Sequence, residues 1–217
     1  MVVAALSSTP DAFSIVLLST LGRGQSIAAT DMGWLPQAEE FNQYTPSYYS
    51  SRGSESTSVV HIASDDEPPG TVLTQTDFSG GTLSLDSRDQ LLVYQGVEDD
   101  PTFMCAFDWS AYDWKSTDWL DTELSSDSYS GLPRGLTSGV DALNPNTLAW
   151  SSQYNNNWAY KGIDTASINE LRTAIATDSS WGRNSYSRPT IAALAKTSPP
   201  YEAHCRLCAA QQPSRQL

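Results

Sequence analysis

The chain has little positive charge to offer. Three lysines (Lys115, Lys161 and Lys196) and nine arginines stand against 25 acidic residues, a formal net charge of −13. That surplus repels a phosphate backbone and argues against nucleic acid as a partner. An anionic membrane surface is disfavoured for the same reason. No apolar run approaches the roughly 18 residues that a helical membrane span needs. Residues 1–6 are shorter than a secretory hydrophobic region and pass at once into a strand pattern, so no targeting segment is legible in this numbering.

Histidine and cysteine are scarce as well. Cys105, Cys205 and Cys208 are the three cysteines, and an odd count with one C-x-x-C does not make a disulfide framework. His204, Cys205 and Cys208 supply half of a zinc site at most, with no second ligand pair. Cys105 alternates within a strand pattern and is expected in the core. His61, the other histidine, also lies in a strand pattern, where a packed role outranks base chemistry. Nucleophile-elbow, zinc-protease, phosphate-loop and dinucleotide motifs are all missing, as is any Asn-x-Ser/Thr acceptor. The expectation is a chain that is not an enzyme and uses no cofactor or metal. A hydrolase built on a carboxylate pair such as Asp113 and Asp118 ranks last, because the sequence does not single out a pair.

What the chain has is turn formers and aromatics. Only 39% of residues are hydrophobic and 17% charged, while Trp numbers seven and Tyr ten. That composition suits short strands joined by turns. Strand-length runs appear at residues 13–18, 26–30, 58–63, 71–76, 82–85, 90–95 and 102–107. Residues 31–34 close the second of these, and 36–57 read as a long loop. Residues 65–70 and Gly80-Gly81 are turn and break signals. Signals between 140 and 160 are weak. One helix is expected at about 166–177: Ser167 and Glu170 fit a capping box, and Ile168, Leu171 and Ile175 form one apolar stripe. Residues 1–183 then form one domain with a Trp/Asp-rich insert at 108–139, followed by an extended Pro- and Gln-containing tail at 184–217. Six to nine short strands point to a mostly β fold of the sandwich type.

Several motifs carry a family resemblance. Residues 13–18, Gly24, Ile27 and Asp31-Met32-Gly33-Trp34 resemble the opening hairpin of lamin-tail-like domains of secreted bacterial and algal proteins. Leu83-Ser84-Leu85, Asp89-Gln90-Leu91-Leu92, Tyr94-Gln95-Gly96 and Pro101-Thr102-Phe103 are similar to that family's core. Leu132-Pro133, Gly135-Leu136 and Gly139-Val140 follow in its order, as do Asn157-Trp158-Ala159-Tyr160 and Ser180-Trp181. Arg88 departs from a position where Gly is common. The resemblance covers roughly residues 2–183 and implies an immunoglobulin-like β-sandwich with one packed helix. It implies a location outside the cell or in an organelle lumen, such as the thylakoid lumen, and no defined activity.

The most distinctive local pattern is Asp108-Trp109, Asp113-Trp114 and Asp118-Trp119, three pairs at an interval of five. That interval matches neither strand nor helix, so the pairs do not all face one way from a regular element. Exposed Trp rings with orienting carboxylates suit a partner surface; a loop folding its own Trp over the sandwich edge is the competing expectation. Acidic runs at 65–67, 98–100 and 118–123 lack the spacing of a calcium loop and read as solvated turns. The function expected is therefore a structural or interaction module. It would serve as an accessory subunit of a larger exported or lumenal assembly, a photosynthetic one among the options. Its protein partner would present a basic or neutral face. A calcium-assisted glycan-binding module using the Trp/Asp loop is the alternative.

Overall fold

Turn residues set the ends of the strands. The structure is a computed structural model that describes residues 1–8, 11–42, 58–81, 83–85, 89–109, 130–144, 157–160, 167–175 and 181–183. Strand β1 (Val2–Ser8) pairs antiparallel with β2 (Asp11–Val16). Then come β3 (Ser26–Thr30), β4 (Trp34–Leu35), β5 (Glu40–Phe41), β6 (Val59–Ile62) and β7 (Val72–Thr74). A single 3-10 turn, Gln75–Asp77, follows β7. Strands β8 (Gln90–Val97), β9 (Asp100–Asp108), β10 (Ala142–Leu143) and β11 (Asn157–Tyr160) lead to helix α1 (Ile168–Ile175) and β12 (Trp181–Arg183).

The described residues are mostly β, in two five-stranded sheets and one small hairpin. The first sheet runs β12-β11-β1-β2-β7, the second β10-β9-β8-β3-β6, and β4 pairs with β5. One apolar cluster draws on both sheets: Leu6, Phe13, Ile15, Leu73 and Trp158 from the first, and Ile27, Leu91, Val93, Cys105 and Phe107 from the second. Alternation explains the split, since residues i and i+2 of a strand share a face.

The opposite face of the second sheet is also covered. Ala28, Leu92, Tyr94, Phe103, Ala106 and Ala142 join Trp34 and Phe41 of the β4–β5 hairpin in a second cluster. Burial on both faces accounts for the unbroken apolar runs in β8 and β9. A bulge makes Phe103 part of this second cluster. The β8–β9 register passes from Val93↔Cys105 to Tyr94↔Phe103, leaving Met104 unpaired and turning Phe103 to Tyr94's side.

Two expectations need correction. Residues 31–34 do not end a unit: Trp34 starts a hairpin whose partner strand, Glu40–Phe41, falls in the stretch read as loop. Leu83 and Leu85 are buried as their alternation predicts, but they form no strand. The Ser84 amide between them donates to Asp31 Oδ2 at 2.6 Å rather than to a neighbouring strand.

The capping box forms as the sequence predicts. Ser167 N–H and Oγ–H donate to Glu170 Oε2 at 2.9 and 2.7 Å, and the Glu170 amide reaches back to Ser167 Oγ at 3.4 Å. The Ser167 hydroxyl, then its amide, hold the Glu170 carboxyl below its usual value. A depressed folded value stabilises the helix above the unfolded value, and the contribution is lost as pH falls through the folded one. Protection of the amides at residues 168–171, taken relative to their intrinsic exchange rates at each pH, is therefore expected to fall on acidification in the native chain. In Glu170→Gln, which retains a capping side chain without a titrating group, the acid dependence should flatten; equal acid dependence in both would contradict this role.

Candidate functional site

The second apolar cluster supports an acidic face. Trp34 is 1% exposed and packs edge-on against Phe103 at 4.9 Å and Phe41 at 5.4 Å between ring centroids. Phe41 also lies 5.3 Å from Tyr94. The backbone of Trp34 is tied to a distant segment: its amide donates to Ser130 Oγ at 3.0 Å, and its carbonyl accepts from Gly131 N–H at 2.9 Å. These contacts seat the β4–β5 hairpin beside the β8–β9 hairpin. A groove between them is lined by Glu39, Glu40, Glu98 and Asp99 together with Leu35 and Phe41.

All four carboxylates are exposed, as is Asp100 on the β8–β9 hairpin. Among the described residues, one cation pairs with this set. Arg134 lies over the Trp34 ring at 6.0 Å, with its guanidinium 3.6 Å from Glu39 Oε2 and hydrogen-bonded to Asp100 Oδ1 and the Pro101 carbonyl. Among the described residues, five carboxylates meet one guanidinium on this face, a negative balance. The ion pairs are solvent-facing, so they orient the hairpins more than they stabilise the fold. Glu39 itself adopts a left-handed backbone, φ 54°, a conformation costing about 1 kcal/mol or more for a non-glycine residue. Burial raises the Tyr94 phenol above its usual value, a 2.8 Å hydrogen bond with Ser58 Oγ opposes it, and Glu98 adds a smaller push upward.

Asp108 and Trp109, singled out in the sequence, fall elsewhere. Asp108 and Trp109 are each 3% exposed at the end of β9, and the Trp109 ring sits 6.3 Å from Phe107 in the main cluster. A Trp ring so buried presents no face to a partner, and a partner surface and a Trp folded inward are the two expectations for this pair. Asp113, Trp114, Asp118 and Trp119 lie outside the described residues, as do most of the insert at 108–139 and the tail at 184–217. His61 is packed, with Nδ1 2.9 Å from the Asp77 carbonyl and Nε2 2.9 Å from Glu67 Oε1. Cys105 is buried in β9. Asp65 and Asp66 are exposed, and Asp66 Oδ1 accepts from the Arg23 amide at 2.8 Å. Among the described residues, no group of three or more His, Cys, Asp and Glu is placed to hold a metal ion. No helix among them is long and apolar enough to cross a membrane.

Sequence reasoning noticed Glu98, Asp99 and Asp100 only as a turn and passed over Glu39 and Glu40. The missing signal was the pairing of two hairpins far apart in sequence. Comparison with known proteins finds no matching family model, no matching curated protein and no matching solved structure.

Proposed function

We propose that this chain is a non-catalytic interaction module, an accessory subunit that docks its acidic hairpin face on a basic face of a protein partner. The observation that carries this reading is the placement of Glu39, Glu40, Glu98 and Asp99 on two neighbouring hairpin tips anchored by the Trp34–Phe41–Phe103 cluster. Carboxylates held on a packed support give a directed negative field that speeds and orients encounter with a cationic surface. The proposal extends to layering: the two sheets sharing one apolar cluster are read as an immunoglobulin-like, lamin-tail-like sandwich. An exported or lumenal assembly is the proposed setting.

Charge reversal tests it. The full chain carrying Glu39→Lys, Glu40→Lys, Glu98→Lys and Asp99→Lys is compared with the native chain in affinity capture from source cells, with mass spectrometry of co-purifying proteins. Stoichiometric basic partners are expected with the native chain, weakened by salt and reduced at least about tenfold with the variant, since opposing charge pairs at interfaces couple by 1.5 kcal/mol or more. Undiminished recovery by the charge-reversed chain would overturn the proposed docking face.

A further inference from the structure

Strand β6 is the last strand of the second sheet, and an edge strand left open is a template for another chain. Its sequence, Val59-Val60-His61-Ile62, is rich in β-branched residues and has no Lys, Arg, Asp or Glu to discourage pairing. Ile62 is 64% exposed.

Among the described residues, what closes this edge is not a strand. One bridge, Val60↔Ser79, supplies two backbone hydrogen bonds: Val60 N–H to the Ser79 carbonyl at 2.8 Å, and Ser79 N–H to the Val60 carbonyl at 2.9 Å. The segment carrying Ser79 crosses over from β7, the edge of the first sheet. It ends at Gly80 and Gly81, both at positive φ (81° and 43°), where the backbone turns away.

The crossing segment is anchored from β6 itself. His61 Nδ1 lies 2.9 Å from the Asp77 carbonyl, and the ring is 5.7 Å from that of Phe78. Phe78 in turn packs edge-on against Phe13 at 5.1 Å. The second ring nitrogen lies 2.9 Å from Glu67 Oε1; both partners accept, so the N–H that reaches the Asp77 carbonyl is the one on Nδ1. The Asp77 carboxylate does not compete for it: Oδ2 accepts from the Thr74 amide and hydroxyl at 2.7 and 2.8 Å.

We propose that residues 77–79 form a strap, latched by His61, that closes the β6 edge, and that releasing the latch lets β6 add a strand from a second copy of this chain. A second copy is the occupant because an antiparallel strand pairs with itself about a twofold axis, and an uncharged strand does so without like charges facing one another. The strap does not depend on the acidic hairpin face and lies on different residues.

The test uses the full chain with His61→Ala and, separately, Ser79→Pro, which removes the Ser79 N–H from the bridge. Far-UV circular dichroism and Trp fluorescence check that each variant folds. Hydrogen exchange at the Val60 amide and sedimentation velocity over a range of concentrations are the readouts. In both variants, at concentrations where the chain is monomeric, Val60 exchange is expected to quicken about tenfold, the effect of losing an ordinary hydrogen bond's worth of protection. A concentration-dependent dimer should accompany it and disappear when Ile62→Lys is added to charge the edge. Glu67→Gln, which keeps the side-chain volume and weakens only the Nε2 side of the latch, should give the same changes in smaller measure. Native-like Val60 exchange in the variants would overturn the latch. Faster exchange with a monomer at every concentration would overturn the second copy as occupant.

Discussion

Replacing Trp34 with alanine is expected to lower the unfolding free energy by about 3–5 kcal/mol, the usual range for deleting a buried large aromatic. The ring is 1% exposed and touches Phe41 and Phe103, so its removal opens a cavity between the β4–β5 hairpin and the second sheet. No other described side chain of the hairpin except Phe41 belongs to that cluster, which limits how far the site can collapse. Guanidinium unfolding followed by circular dichroism measures the change as a shift in midpoint at nearly constant slope. A loss under about 1 kcal/mol would mean that the hairpin is not seated by this ring. The same variant should lose partner binding in proportion to the folded hairpin, because the carboxylates depend on that seat.

The second large effect is expected at Gly96. Its φ is 93°, a region that residues with a Cβ rarely enter. A Cβ there would lie 2.8 Å from the Asp100 carbonyl oxygen, which is backbone and has no rotamer to retreat into. Gly96→Ala is therefore expected to destabilise by about 2–3 kcal/mol, combining left-handed strain with overpacking. Because Gly96 pairs with Pro101 and Val97 with Asp100, relief of the clash would come from splaying the β8–β9 tip. The crystal structure of the variant, or exchange at residues 97–100, reads that displacement. An unfolding midpoint equal to the native one would contradict the tight approach.

How much of this was legible in the sequence follows from segment length. Strand β3 lies at residues 26–30 as its pattern predicts, since a five-residue run between turns leaves little room for error. Strands β8 and β9 were legible as apolar runs, and α1 from its capping box and stripe. Strands of two residues carry no period, so β4, β5 and β10 were invisible. Strand β11 is held in register by β1, more than 150 residues away in the chain (Leu6↔Trp158), and such pairing leaves no local mark. The Met104 bulge was equally hidden, although it decides on which side Phe103 packs. For the candidate face, the residue types were visible and their convergence was not: Glu39 and Glu98 meet only because two hairpins pack on one aromatic cluster. The Asp108-Trp109 pair misled for a related reason. A Trp beside an Asp looks like a surface feature, but two residues past a fully buried Phe107 it shares that residue's face and continues into the core.

The most direct measurement of the central claim is carbodiimide footprinting of carboxylates, read by mass spectrometry, on the native chain alone and with its captured partner bound. Asp65 and Asp66, exposed on the turn after β6, serve as internal controls. The account predicts that Glu39, Glu40, Glu98 and Asp99 lose reactivity together on partner binding while Asp65 and Asp66 keep theirs. Unchanged reactivity at those four, with protection at other carboxylates instead, would contradict it.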